Sequence, residues 1–454
     1  MTSIKLPNLE AFITRRNSLI QHIRTTSGSG VVVLNTAKEV FRSRDSDYPY
    51  RHDSDFYYMT GFCEPQSYLV LQVTPTSSTS IIFCRPKDLE REIWDGLRLG
   101  PELATQYLGV DQAFSVEELN AMMPDLLKNQ THIYSRLAIS SDMDALLREW
   151  LNSLRAKARL GIKVPQHFHD IEPLIHEMRL TKDAIEISLM RKAGKIAANG
   201  HIRAMQTSRP GLREYHLEAE LLYEFRRNGA QSVAYNSIVA TGQNACILHY
   251  KASDAELKNG DLCLIDAGCE LDSYASDITR TFPVNGKFTT PQKEVYEIVL
   301  AAQQEAIRHS ILGNEFQKPH EKALEILVAG LFDLKILNQA THGTVANAIE
   351  NKSYQPYYMH RTSHWLGIDV HDVGSYREPM SSDDSSRILR EGMILTVEPG
   401  LYFRPSPEVP EKYWNIGIRI EDDVLVSSKG NEILSSDAPV AINDIEGLMS
   451  SSGN

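Results

Sequence analysis

The run LIDAGCELDSYASDITRTFPV (264–284) sets two aspartates, Asp266 and Asp277, eleven positions apart inside stretches that otherwise read as β-strand. Asp is depleted in strands, and a carboxylate within a folded core is costly unless something positive meets it. Any fold of this chain must therefore bring a positive partner to these acids. Side chains alternate faces along a strand, so Asp266 shares a face with Leu264 and Leu262, and Asp277 with Thr279 and Thr281. A hairpin through CELDSYA would let both carboxylates approach on one face, where alone they repel.

Two later strands repeat the oddity. ILTVEPGLYF (394–403) puts Glu398 on the face of Ile394 and Thr396 and then breaks at Pro399-Gly400. NIGIRIEDDVLV (415–426) keeps Ile416, Ile418 and Ile420 on one side and leaves Gly417, Arg419 and Glu421 on the other. One such acid reads as a strand end in solvent; four together do not. Histidines accompany them: YYMHRTSHWLGIDVHDVG (357–374) holds His360, His364 and His371, and ACILHYKA (245–252) holds His249. Taken singly, each is a half-buried imidazole with a satisfied hydrogen bond. With the acids, the set suits hard divalent cations, being carboxylate-rich, with imidazole and no thiolate. Four acids suffice to bridge two metal ions about 3.5–4 Å apart.

The rest of the chain frames this cluster. Apolar residues at helical spacing over 8–24, followed by the strands GVVVLN (30–35), YLVLQV (68–73) and SIIFCR (80–85), predict an α/β domain. Residues 88–180 read as mainly helical. A long amphipathic helix begins at Thr181, with Ile185, Leu189, Ala193 and Ile196 on one stripe, and the domain boundary is placed just before it. Helices over 213–228, 291–313 and 319–334 then separate strands over 236–241, 261–267, 276–284, 393–404 and 416–427. Helices backing a mostly antiparallel sheet make an α+β domain. The serine-rich end LMSSSGN reads as frayed.

A net charge of −12 without a sustained basic block argues against nucleic acid. The first residues lack the apolar core of a secretory signal, and the apolar run ALEILVAGLFDL (323–334) is too short to span a membrane. Five cysteines without CxxC spacing read as buried free thiols, which places the chain in the cytoplasm.

In order along nearly the whole chain, RDSDYPYRHDSDFYYMTGFCEP (44–65), REIWDGLRLG (91–100), AYNSIVATGQNACILHY (234–250), DAGCELDSYASDITRTFPVNGKFT (266–289), SHWLGIDVHDVG (363–374), LTVEPGLYF (395–403) and GIRIEDDVLV (417–426) resemble one family. It is the Xaa-Pro aminopeptidases, or aminopeptidase P, of the pita-bread metallopeptidases. The resemblance implies a smaller α/β domain over 1–175 and an α+β pita-bread catalytic domain over 176–454, a curved, mostly antiparallel sheet backed by helices. It implies two divalent metal ions, manganese by family habit, with Asp266 on one, His364 and Glu398 on the other, and Asp277 and Glu421 bridging both. A hydroxide bridging the metals would attack the bond before proline, with Glu398 as general base and His249 and His371 orienting substrate and stabilising the oxyanion.

Further roles follow from the same resemblance. His360 lines the site, and Tyr235 lies near the substrate's free amine. Arg419 links to residues resembling Tyr402 and Asp45, and Trp94 resembles a residue that closes the specificity pocket from a neighbouring subunit, within a dimer or tetramer. Two departures stand out: Arg361 and Thr362 occupy positions where some relatives carry Gly and Leu, and SSDDSSRILREGM (381–393) has one basic residue before IL where some have two. The expected substrates are peptides with proline second. A prolidase restricted to Xaa-Pro dipeptides is the nearer alternative, methionine aminopeptidase a more distant one. Metal-free pita-bread binding proteins and creatine hydrolases lose ligands that this chain keeps.

Overall fold

A computed structural model describes residues 9–251, 254–379 and 385–451. The chain divides into two compact units, Met1–Met178 and Arg179–Asn454.

In the first unit, near-continuous apolar runs form a buried sheet. Its six strands lie in the order Gln112–Ser115, Ser78–Cys84, Tyr68–Val73, Gly30–Asn35, His132–Ser135 and His167–Asp170. The three central strands pair antiparallel and the outer pairings are parallel. Val31, Val33, Val70, Ile81, Phe83 and Ile133 pack on one face against Met143, Leu147 and Trp150 of the helix Ser141–Arg155. The stretch over 88–180 is mainly helical, as its patterns imply, and it also supplies three strands of only four residues each, too short to impose a period on the sequence.

The second unit joins antiparallel strands to long helices. Ser232–Val233 pairs with Cys269–Leu271, and Ile238–Thr241, Leu262–Asp266 and Thr279–Pro283 lie side by side. Ile394–Val397 pairs with Asp422–Ser427, and Gly400–Phe403 with Ile416–Arg419. The helices Ala184–Thr207, Glu214–Arg227, Thr290–His309 and Gln317–Asp333 bury one face each in the common core. Asp183 caps the first of these, accepting from the N–H groups of Ile185 and Glu186 while Glu186 reaches back to the Asp183 N–H. Its buried face is Met190, Ala193, Ala197, Ala198 and Ala204, and Ile185, Leu189 and Ile196 are only half-buried. Small residues let the helix approach closely, so apolar bulk does not mark the inner face.

One expectation at this level needs correction. CELDSYA is no simple hairpin turn: Cys269–Leu271 and Tyr274–Ala275 pair with each other in a separate three-stranded sheet. Of the end LMSSSGN, the helix Ile442–Ser450 reaches Ser450, with Leu448 and Met449 against the core, and residues 452–454 lie outside the described residues. No helix among the described residues is long and apolar enough to cross a membrane. All five cysteines are free, Cys63 exposed and the other four buried.

Gly268 lies between the two aspartates where backbone meets backbone. A Cβ there would sit 1.7 Å from the carbonyl oxygen of Ser276. Gly268→Ala is expected to lower the unfolding midpoint of the second unit by roughly 5–10 °C, the effect of about 3 kcal/mol in a domain of this size. A thermal melt with an unchanged midpoint would contradict the close approach.

Candidate metal centre

The acids converge because they sit where strands end or break. Asp266 is the last residue of its strand, opposite Ile238 on one side and Thr279 on the other. Asp277 precedes the strand Thr279–Pro283 rather than lying within it, and its N–H meets both carboxylate oxygens of Asp423 at 3.2 Å. Glu398 occupies the break between Ile394–Val397 and Gly400–Phe403, where its N–H donates to the Thr362 carbonyl at 2.8 Å. Glu421 fills the break between Ile416–Arg419 and Asp422–Ser427, with its N–H on the Thr279 carbonyl at 3.1 Å. A residue at a break escapes the strict alternation of a ladder, so side chains from four segments can point to one place.

His364 joins them from the loop before Trp365, with its N–H on Thr396 Oγ1 at 3.2 Å. Its Nδ1 faces the Trp365 carbonyl at 2.9 Å. A carbonyl only accepts, so Nδ1 carries the proton and Nε2 is free to ligate. That Nε2 lies 3.4 Å from Asp277 Oδ2 and 3.6 Å from Glu398 Oε1. Donor atoms of Asp277, His364 and Glu421 all fall within 4.8 Å of one another, the spacing expected around one cation at about 2.0–2.3 Å from each.

Donors bind the outer oxygens. Arg419 reaches Asp266 Oδ2 at 2.6 Å, and Thr279 Oγ1 donates to Glu421 Oε2 at 2.6 Å. The Tyr235 hydroxyl lies 2.5 Å from Asp266 Oδ1 and also contacts Asp277 Oδ1, and its single proton serves one of them at a time. Tyr235 thus touches the acids themselves. Arg419 also donates to the Tyr402 hydroxyl at 2.9 Å, as the resemblance implied. Tyr402 donates onward to His360 Nε2 at 2.8 Å, and His360 Nδ1 donates to the Arg361 carbonyl at 2.7 Å. Burial, and then the Arg419 charge, hold His360 down at about 3, the neutral form this chain of bonds requires. His371 packs edge-on to His364 with ring centroids 4.2 Å apart, and its value is lowered by burial and then by His364 and His249.

These side chains line a cavity of about 740 Å³, with His249 and His371 on its wall. Tyr235, His249, Asp266, Asp277, His360, His364, His371, Glu398, Arg419 and Glu421 come together within the second unit, and Trp94 and Asp45 do not. Trp94 belongs to the first, on the helix Leu89–Asp95, and is 84% exposed. Asp45 lies in an exposed turn of that unit.

A buried support escaped the sequence reading. Arg280 is fully buried and all five of its N–H groups find acceptors: the carbonyls of Thr279, Glu421, Ala438 and Pro439, and Asp422 Oδ1 at 2.7 Å. Asp422 also accepts from Gln303 at 2.7 Å and Ser435 at 2.6 Å. The network fixes the backbone on which Glu421 stands. Its one signal in the sequence was a charge alternating with Thr279 and Thr281 on an otherwise apolar strand.

The electrostatics fit cations. Burial, tempered by His364 and Arg419 and reinforced by the neighbouring aspartates, raises Glu398 to about 7. Burial and then Asp277 and Glu398 push Glu421 well above the carboxylate range. Burial alone would lower His364, but Asp277 and Glu398 raise it to about 9. In each case the folded state holds more protons than the unfolded one, so stability falls as pH rises toward the folded value. His201, His320 and His360, held at about 4, 4 and 3, act in the opposite sense only below about pH 7. Metal-free protein is therefore expected to melt at lower temperature at pH 8 than at pH 7. Saturating manganese should flatten the slope, because cations keep the carboxylates ionised at both values. Equal slopes with and without metal, read by differential scanning calorimetry, would contradict this cluster.

Comparison with known proteins gives the family. Residues 188–428 match Metallopeptidase family M24, and residues 12–134 match the Aminopeptidase P, N-terminal domain. The chain is 45% identical to the Xaa-Pro aminopeptidase of Escherichia coli over 97% of both chains, and 36% identical to human Xaa-Pro aminopeptidase 3 over 92% of this chain and 80% of that one. A solved aminopeptidase from Pseudomonas aeruginosa superposes with a TM-score of 0.94 at 44% identity, covering 98% of this chain and 99% of that one. A zinc-substituted E. coli aminopeptidase P in complex with product gives 0.94 at 44% identity, covering 99% of each. With M24 spanning more than half its length and full-length relatives this similar, the chain belongs to the aminopeptidase P group of metallopeptidase family M24, with that group's two-domain pita-bread fold.

Proposed function

We propose that this protein removes the first residue from peptides whose second residue is proline, using two manganese ions held by Asp266, Asp277, His364, Glu398 and Glu421. The observation that carries the reading is the convergence of four carboxylates and one imidazole on the wall of a cavity of about 740 Å³, large enough for a peptide. Two divalent cations there would polarise the scissile carbonyl and lower the pKa of the attacking water. Asp277 and Glu421, whose donor atoms lie within 4.8 Å of each other and of His364, would share in holding both ions. Glu398 would take the proton from the attacking water and return it to the leaving nitrogen.

Arg419 and Tyr235 hold the carboxylates in place. His249 and His371 orient the substrate and steady the charge that develops on the carbonyl oxygen, and neutral His360 closes the wall beside Glu398. A proline amide offers no N–H, so selection relies on ring shape, which the apolar wall of Ile238, Leu248 and Val370 accommodates. The names of the full-length relatives favour this reading over a prolidase. Buried unpaired thiols support a cytoplasmic setting. Exposed Leu89, Ile93, Trp94 and Leu97 support a homo-oligomer in which Trp94 meets another subunit.

Manganese-loaded protein should release the first residue from Xaa-Pro-Pro faster than it cleaves an Xaa-Pro dipeptide. No release from any Xaa-Pro peptide would sink the proposal, and cleavage of dipeptides alone would make the enzyme a prolidase. Asp277→Asn, which keeps volume and removes charge, should lose at least about 10³-fold in kcat/KM while its circular dichroism is unchanged, in line with the several kcal/mol that metal ions contribute to such reactions. Near-normal turnover with two bound ions would refute the bridging role.

A further inference from the structure

We propose that Arg361 makes the cavity select peptides that carry a carboxylate beyond the proline, either the C-terminal carboxylate of a short peptide or an acidic side chain at the third position. The inference rests on the peptidase reading above and adds a substrate preference to it.

Three observations carry it. The first is placement. The backbone on both sides of Arg361 is clamped: its carbonyl accepts from His360 Nδ1 at 2.7 Å, and the next carbonyl, of Thr362, accepts from the Glu398 N–H at 2.8 Å. Thr362 Oγ1 is itself held by His320 at 2.8 Å and Tyr358 at 2.7 Å. The Arg361 side chain therefore springs from a fixed point three residues before His364, and it is exposed on the cavity lining.

The second is unspent charge. The guanidinium donates one hydrogen bond, from Nη1 to Gln317 Oε1 at 3.1 Å, and Gln317 is neutral. Among the described residues no carboxylate pairs with it. Gln317 steadies the fork while leaving its other N–H groups free for a carboxylate. The adjacent His320 is pushed down to about 4 by burial and then by the Arg361 charge, so it is neutral and adds no second cation.

The third is the sign of the rim. Apart from the proposed metal-binding acids, the described residues lining the cavity include no carboxylate, whereas Lys251 and Arg361 are both there. Cationic rims with low-dielectric walls concentrate anionic ligands.

The test compares kcat/KM for two pairs on the manganese-loaded enzyme: Ala-Pro-Ala against its C-terminal amide, and Ala-Pro-Glu-amide against Ala-Pro-Gln-amide. Wild type should favour the charged member of at least one pair by about tenfold, mainly through KM, as a charge-assisted bidentate contact gives. The pair that responds identifies the source of the carboxylate, and raising salt should shrink the ratio. In Arg361→Gln the ratio should fall to near 1, and Arg361→Lys should keep part of it. Equal kcat/KM within both wild-type pairs, or a ratio that survives Arg361→Gln, overturns the role of Arg361 while leaving the peptidase reading intact. No turnover of any of the four peptides overturns both.

Discussion

Mutual repulsion among carboxylates is the constraint that the second unit is built around. Asp277 and Glu421 are buried and Glu398 half-buried beside Asp266, and desolvation with like charge raises the values of the first three. Left alone, such a cluster destabilises the fold. Arg419, Tyr235 and Thr279 each bind one or two outer oxygens, which satisfies those oxygens but does not neutralise four acids. His364 holds its ring proton on Nδ1, against the Trp365 carbonyl, with Nε2 turned toward Asp277 and Glu398. What this arrangement lacks, and what divalent cations supply, is positive charge at the centre.

The fold meets the geometric demand with broken strands. Each acid ends a ladder, precedes one or interrupts one, so its side chain is released from alternation while its neighbours keep the sheet hydrogen-bonded. Behind the acids, buried groups do the positioning. Asp423 holds the Asp277 N–H, and Arg280 with Asp422, Gln303 and Ser435 holds the Glu421 carbonyl. Hydrogen-bonded support of this kind orients the groups that a metal ion would need.

Much of this was legible in the sequence, for a definite reason. Acids within apolar strands are rare enough that Asp266, Asp277, Glu398 and Glu421 mark themselves, and the ordered motifs around them are specific to one family. Their placement at breaks was less legible, because alternation continues through DITRTF and IRIEDD as though the strands were unbroken. Arg280 reads as an ordinary charge, since burial of a fully paired ion leaves no mark on spacing. The strands at 112–115, 132–135 and 167–170 are too short to show a period. The inner face of Ala184–Thr207 is written in alanine and glycine, which apolar periodicity weights too lightly.

The central claim is that these acids exist to hold a pair of cations. Manganese titration of metal-free protein, followed by electron paramagnetic resonance, tests it most directly. The account expects two ions per chain and a spin-coupled spectrum, since shared carboxylates place such ions about 3.5–4 Å apart, with the coupling lost in Glu421→Gln. A single ion per chain, or two that remain uncoupled at saturation, would contradict it.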